Sequence, residues 1–596
     1  MPDGATKVEA GTGYTWPGAR MEFAAGEKDL SGFSSVSIVV SNMTARPLKV
    51  HASVKGRSGD KTVDGPGGSV ELEALGKGEI FVRLEEMPWE LDAPLELPGM
   101  NGFPKARGDG DGFALEHVRS IHVFLTRPKE EADFAILGVT ASPCARKKLR
   151  SEAFFPFVDK YGQFMHDEWP GKIHDDAELA ALGRREDALL AAHANSPTPE
   201  VDEFGGWKGG PQLASTGFFR TEKFDGKWWL VDPEGRLFWS HGVNAVNAGE
   251  PTGIGGREKF FASIPAKDDA AFGRFRSKTW KAAAHGFYAD SALVPYETFD
   301  FARANARRKD GGDFAARFVW RSLARMRSWG LNTIASWSDG ELQRSHRVPY
   351  TILLKTSGAP RLEGSKGWWG MLPDPYRPEF EEILRKRARE AAVWMRDDPW
   401  CVGVFVDNEL SWNDEERMAE VSEKYFSTVR RVLKEELPNH LYLGCRIAWG
   451  SDDVWRSAAE YCDVVSCNCY KRRPGRDWPE GADDKPLLVS EFHFGATDRG
   501  MFHPGLVAAA TQPRRARMYR DFVLACLDDP RIVGAHWFQW RDQPLTGRAD
   551  GENYSIGLVS IADVPYVELV GAVRKTAREM YSRRSRFPKQ TEENKQ

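Results

Sequence analysis

Along residues 1 to about 150, apolar and polar positions alternate in short runs such as "SSVSIVVSN", "LKVHASVKG", "GEIFVRLEE", "RSIHVFLTR" and "FAILGVTAS", separated by Gly-, Pro- and Asp-rich turns. A period of two buries one face of a strand and wets the other, so this pattern predicts an antiparallel β-sandwich. Long helical periodicity is missing there. From about residue 216, apolar runs of four to eight residues alternate with long helical segments. Eight runs can be counted: "LFWSHGVNAV" (237–246), "LNTIASWSD" (331–339), "PYTILLKT" (349–356), "VGVFVDNEL" (402–410), "HLYLGCRIA" (440–448), "CDVVSCNCY" (462–470), "PLLVSEFHFG" (486–495) and "IVGAHWFQW" (532–540). Strands buried on both faces and joined by helices make a parallel sheet, and eight of them predict a (β/α)8 TIM barrel.

The segments between the runs support that count. In "RMAEVSEKYFSTVRRVLKEEL" the apolar positions Met418, Val421, Tyr425, Val429 and Val432 step by three and four, which gives one buried stripe. Pro513 opens another helix, whose apolar face continues through Met518, Phe522 and Cys526. The unit between the second and third strands is short, and the insertion from 247 to about 310 makes the first loop unusually long. The expected organisation is therefore a β-sandwich over 1–150, a connector with a charged, Ala-rich helix near 175–194 over 151–215, a barrel over 216–585 and a polar tail over 586–596.

Composition narrows the function. A length of 596 residues exceeds one ordinary core, and a net charge of -4 from 82 basic and 86 acidic side chains offers no surface for a polyanion, so nucleic acid is not an expected partner. No apolar run reaches the ~18 residues of a membrane span. The N-terminus lacks the apolar core of a secretory leader, which suits a cytoplasmic chain, or a secreted or periplasmic one whose leader has been removed. Oligomeric state is not encoded legibly. Of seven cysteines, Cys462, Cys467 and Cys469 form one cluster, read as small fillers of a buried strand and not as a metal site. Asp109 and Asp111 in "RGDGDGF" suit a turn at least as well as a calcium ion. The 21 Trp and 34 Phe are a heavy aromatic load that fits both cores and sugar faces.

In a barrel, chemistry sits where strands end at their C-terminal side. Glu409 ends the fourth run and Glu491 the seventh, and those strands face one another across the mouth. Glycoside hydrolysis needs two such carboxyls, one to protonate the leaving oxygen and one to attack or activate water; a gap of roughly 5 Å between them gives retention through a covalent intermediate. Trp337, Trp412, Trp449, Trp537 and Trp540 stand at other strand ends, with roughly half of them expected to reach substrate because alternation sends neighbours to opposite faces.

These features resemble glycoside hydrolase clan A, in which the acid/base Glu follows an Asn at the end of strand four and the nucleophile ends strand seven. More narrowly, "FPFVDKYGQFMHDEWPGK", "GFFRTEKFDGKWWLVDPEGRLFWSHGVNAV", "FVDNELSW", "SEFHFGATDRG" and "HWFQWRDQPLTGR" resemble glycoside hydrolase family 50, the exo-acting β-agarases, over roughly residues 30 to 580. The sandwich half resembles the jelly-roll, carbohydrate-binding modules that accompany such enzymes. The resemblance implies Glu409 as acid/base, Glu491 as nucleophile and Asn408 as the partner of a sugar hydroxyl. It implies that Tyr470 hydrogen-bonds Glu491, with a satisfied core tyrosine as the alternative. His493, Asp542 and Gln543 become candidate substrate contacts. A regular strand would send Asn408 and Glu409 to opposite faces, so the strand must have ended or twisted by then. No cofactor or metal is required.

The expected function is thus a retaining, exo-acting hydrolase of β-galactosidic bonds in an agarose-type galactan. Two other readings stand beside it: a β-galactosidase or glycosidase for another polysaccharide, with specificity set by 247–310 and "SKGWWGMLPDPY" (365–376), and a catalytically silent carbohydrate-binding protein. A metal-dependent hydrolase lacks an H-E-x-x-H signature.

Overall fold

The computed structural model describes residues 5–586 apart from 25, 59–60, 85–87, 106–112, 114, 145–146, 195–199, 366, 368–370, 413–416 and 475–483. Asp109, Asp111, most of the polar tail and part of the 365–376 loop lie outside the described residues.

The N-terminal alternation resolves into two antiparallel four-stranded sheets. One orders Thr6–Ala10, Ala132–Pro143, Phe33–Asn42 and Lys77–Arg83; the other orders Gly18–Glu22, Val118–Phe124, Leu48–Ser58 and Lys61–Leu72. Val36, Ile38, Val40, Ile80 and Val82 of the first sheet share one apolar cluster with Val50, Val54, Val118 and Val123 of the second, as a period of two requires when one face of each sheet is covered. The aromatic stretch that follows joins this part to the rest. Phe154, Phe157 and Phe164 share one apolar cluster with Trp89, Leu97 and Met100 and with Phe260, Phe299 and Phe502. The helix expected near 175–194 runs Asp176–Ala194.

All eight counted runs contain strands of a single parallel sheet: β1 (Ser240–Val243), β2 (Thr333–Ile334), β3 (Tyr350–Leu354), β4 (Cys401–Val406), β5 (Leu441–Tyr442), β6 (Val465–Asn468), β7 (Leu487–Phe492) and β8 (Ile532–Trp537). The hydrogen-bonded order is β5-β4-β3-β2-β1-β8-β7-β6. The remaining seam, β5 to β6, is spanned by a parallel bridge between Ile447 and Cys467, with Ile447 N donating to Ser466 O and Asn468 N to Ile447 O, each at 3.0 Å. This bridge brings the two ends of the sheet together, in a TIM-like arrangement.

The connections vary in length. Helices Phe314–Trp329, Pro378–Met395, Met418–Glu436, Asp452–Tyr461, Gln512–Asp528 and Val567–Arg584 cover the sheet, and the short second unit keeps only Gly340–Gln343. Among the described residues no helix joins β6 to β7. The stripe of Met418, Val421, Tyr425, Val429 and Val432 is buried throughout. Residues 247–310 form a small three-stranded sheet and a helix, Phe301–Asp310, before the first barrel helix.

Near the start of the barrel, the turn at Asp202 packs against the turn at Asp232. Each aspartate uses one oxygen on backbone amides, Asp202 Oδ1 on Gly206 N and Asp232 Oδ1 on Glu234 N and Arg236 N. Their Oδ2 atoms are both buried beside Gly206, without a hydrogen-bond partner of another kind. Burial, and then the Asp202 carboxyl, push Asp232 up to about 8. A folded-state value above the unfolded one means that the folded form holds the proton more tightly, so this stability is present at low pH and lost as pH rises through about 8. The melting temperature should therefore fall as pH rises from about 4 to about 8 and level off above it. Asp232→Asn should flatten that fall, as read by thermal denaturation at several pH values; an unchanged slope would show that the pair does not share a proton.

Candidate active site

The backbone at the C-terminal ends of the strands is unusual. Ala245 after β1, Trp337 after β2, Asp407 and Glu409 after β4, and Arg446 after β5 have φ values of 56°, 61°, 59°, 48° and 57°. None is glycine, and a left-handed conformation costs an L-residue on the order of 1–2 kcal/mol. Packing around the strand ends must hold them there. For β4 the consequence is direct: the strand ends at Val406, so the period of two no longer separates Asn408 from Glu409, and both line the same cavity. Asp407 also borders the cavity, but its carboxylate is tied to the barrel wall, accepting from Thr356 N at 2.8 Å, Thr356 Oγ1 at 2.7 Å and Tyr425 OH at 3.0 Å.

The cavity has a volume of about 1020 Å³, and both Glu409 and Glu491 line it. Both oxygens of Glu491 are engaged. Oε1 accepts from Arg446 Nη2 at 2.6 Å, and Oε2 accepts the phenol of Tyr470 in a short hydrogen bond. Arg446 has no solvent contact, and its other donors reach Asn408 Oδ1 at 2.8 Å, Ser336 Oγ at 2.9 Å and Ser490 O at 3.2 Å. Its guanidinium lies 4.5 Å from the Trp337 ring centre and 4.9 Å from that of Phe405. Glu409 meets a different environment. Its Oε1 accepts from Asn468 Nδ2 at 2.8 Å, and burial, followed by the charge of Glu491, pushes it up to about 8. Its next negative neighbour is Glu552, on the loop after β8. Two buried carboxyls of one residue type thus stand in one cavity in opposed settings, one paired with a cation and a phenol, the other held by a neutral amide and inclined to keep its proton.

The remaining candidates divide. Asn408, Tyr470, His493, Trp337 and Trp449 line the cavity, with Trp449 39% exposed at its rim. His493 is buried against Tyr470, ring centres 4.6 Å apart, and accepts from Leu506 N at 2.8 Å. Burial, then Arg515, lowers it to about 3, so it is a neutral ring near pH 7. Trp412, Trp537, Trp540 and Asp542 are placed elsewhere. Trp412 stacks on Phe426 of the following helix; Trp537 donates to Ile556 O at 2.9 Å; Trp540 stacks on Trp329; all three are core. At the end of β8 the chain sends Trp537 to the helices and the next residue, Phe538, to the cavity, as alternation allows. Asp542 is buried, accepting from Gly557 N and Tyr566 OH, and Gln543 reaches the site only through Glu552, to which it donates at 2.7 Å.

Sequence reasoning missed Arg446, Asn468, Glu250, Arg548 and Glu552. The first two carried a signal, as polar residues inside the otherwise apolar runs "LGCRIA" and "VVSCNCY". The others belong to loops after β1 and β8 whose pattern marks nothing. Among the described residues no group of three or more His, Cys, Asp or Glu is arranged to hold a metal ion.

No family model matches the chain. Beta-agarase B of Vibrio sp. (strain JT0107) is 34% identical over 570 residues, which is 78% of this chain and 58% of the relative, so the chain spans less than two thirds of that protein's length. Among solved structures, PfGH50B superposes with a TM-score of 0.72 at 26% identity over 98% of this chain and 97% of its own. A structure described as an exo-beta-agarase does so with a TM-score of 0.71 at 25% identity over 96% and 94%.

The site's electrostatics can be tested without a substrate. Arg446→Met should leave Glu491 buried without its cation, and removing one partner of a buried ion pair costs about 3–5 kcal/mol. Denaturant titration should show that loss, with Arg446→Lys between the two; a change under about 1 kcal/mol would mean that the pair is solvated in solution.

Proposed function

The chain is β-agarase-like and falls within glycoside hydrolase family 50, and from that premise we propose that it is a retaining, exo-acting hydrolase of β-galactosidic bonds in agarose-type galactan or its oligosaccharides. The observation that carries the chemistry is the opposed setting of the two glutamates in one cavity. In the first half-reaction Glu409 gives its proton to the glycosidic oxygen while the Glu491 carboxylate bonds to the anomeric carbon. In the second, Glu409 takes a proton from water as the water oxygen displaces Glu491. Arg446 and Tyr470 oppose the negative charge that Glu491 carries before the first step and regains after the second.

The polar groups around the pair suit a neutral sugar. Asn408 lines the cavity with its oxygen held by Arg446, which leaves its amide for a substrate hydroxyl. Trp337 and Phe538 offer ring surface on one side and Trp449 at the rim. We read residues 1–150 as a β-sandwich module of jelly-roll kind, 151–215 as the connector and 216–585 as the catalytic barrel.

Glu491→Gln should abolish detectable turnover of agaro-oligosaccharides, and Glu409→Gln should lower it by roughly 10²–10⁴-fold, both with a wild-type circular dichroism spectrum. Because the acid must be protonated and Glu409 is pushed up to about 8, kcat/KM should fall as pH rises through that value. Proton NMR of the product should show the β-anomer first. A first-formed α-anomer would exclude retention, and a fully active Glu491→Gln would exclude the assignment.

A further inference from the structure

Asn468 ends β6, hydrogen-bonded to Glu409 and paired in register with Glu491 of β7. Its Nδ2 donates to Glu409 Oε1 at 2.8 Å and lies 3.4 Å from Asn408 Oδ1, while its Oδ1 accepts from Ser490 Oγ at 2.8 Å. Ser490 is fully buried on β7, immediately before Glu491. These neighbours fix the direction of the amide. Asn408 Oδ1 already accepts from Arg446 Nε, so a rotated Asn468 would set its oxygen against another acceptor. In the observed direction every contact pairs a donor with an acceptor.

We infer that Asn468 is a positioning residue that assigns the proton of Glu409 to Oε2. The inference rests on Glu409 acting as the acid. In a neutral carboxyl, one oxygen carries the hydrogen and the other is a carbonyl acceptor. The amide on Oε1 makes that atom the carbonyl, so the proton resides on Oε2. Without the amide the proton divides between two oxygens, and the terminal carboxyl torsion, which is intrinsically broad, loses a restraint. During glycosylation the Oε2–H bond breaks and the proton passes to the glycosidic oxygen. The bond from that oxygen to the anomeric carbon breaks, its electron pair stays with the oxygen, and the leaving sugar departs as a neutral alcohol. A Glu491 oxygen supplies the electron pair of the new bond to carbon. Glu409 is left as a carboxylate, which the same amide stabilises; consistent with this, the Asn468 hydrogen bond works against burial in setting where Glu409 titrates.

The test uses aryl β-glycosides of the product sugar, with leaving phenols of pKa from about 4 to about 10. A residue that places the acid's proton matters most for the poorest leaving group, whereas a residue that only supports the fold affects all of them alike. Asn468→Ala should lower kcat/KM by about 10- to 100-fold for the phenyl glycoside and by less than about 3-fold for the dinitrophenyl one. The basic limb of its pH profile should move to higher pH. Ser490→Ala keeps the amide and removes only the hydroxyl that orients it, so it should show a smaller effect with the same dependence on leaving group; it also serves if Asn468→Ala does not fold. A loss equal across the series, or a basic limb that stays in place in whichever variant folds, overturns the inference. Glu409→Gln is measured alongside. If it shows no leaving-group dependence, Glu409 is not the acid, and both the proposed function and this inference fall. If it does and the Asn468 and Ser490 variants do not, only the inference falls.

Discussion

A guanidinium without solvent contact has to find its partners inside the protein, and Arg446 finds them around the whole barrel mouth. Its donors reach Ser336 beyond β2, Asn408 beyond β4, and Ser490 and Glu491 on β7, while Trp337 and Phe405 cover its faces. Desolvating a cation costs several kcal/mol, and the cost is offset only when the geometry of the pair is good and the other donors are satisfied. Each of these strand ends is therefore held to a narrow range of positions. The closure of the sheet between Ile447 and Cys467 serves the same end, because it fixes the strand that carries Arg446 against the strand that carries Asn468 and then Tyr470. Barrel register becomes site geometry through one buried charge.

The left-handed residues show how that geometry is reached. A strand that kept its pleat to the mouth would present every second side chain to the cavity. Left-handed turns at Asp407 and Glu409 end β4 early, so consecutive residues can do different work: Asp407 ties β4 to β3 through Thr356, while Asn408 and Glu409 face the cavity. The conformational cost is met by those same hydrogen bonds. Of the ten non-glycine left-handed residues described, five sit at these strand ends, which locates the strain where the proposed chemistry is.

Much of this architecture was legible in the order of residues. Long apolar runs at regular spacing mark β-strands well because burial on both faces leaves few polar positions, and all eight were found. The glutamates at the ends of the fourth and seventh runs followed from that frame. The aromatic residues did not. Trp412, Trp537 and Trp540 occupy strand-end positions just as Trp337 does, and whether each faces the cavity or a helix depends on where the pleat stops, which is set by three-dimensional packing. Glu552 and Arg548 were out of reach for another reason: loops after β8 carry no periodicity, and "RADGENY" reads as an ordinary polar turn although Arg548 holds Glu552 at 2.6 Å beside the cavity.

The asymmetry between the glutamates has a further consequence on the proposed reading. Glu409 must be an acid in one half-reaction and a base in the next, so its proton affinity has to fall between them. The charge on Glu491 is only the second cause of its elevation, after burial, and covalent bonding removes that charge while leaving the burial in place. Loss of the charge alone therefore brings Glu409 only part of the way down. The remaining stabilisation of its carboxylate has to come from groups already facing it, the Asn468 amide and the Arg446 guanidinium, both of which favour the ionised form. Arg446 gains weight at that moment, since the carboxylate that shared its charge has become an ester. One fixed cation can thus serve each glutamate in turn without moving.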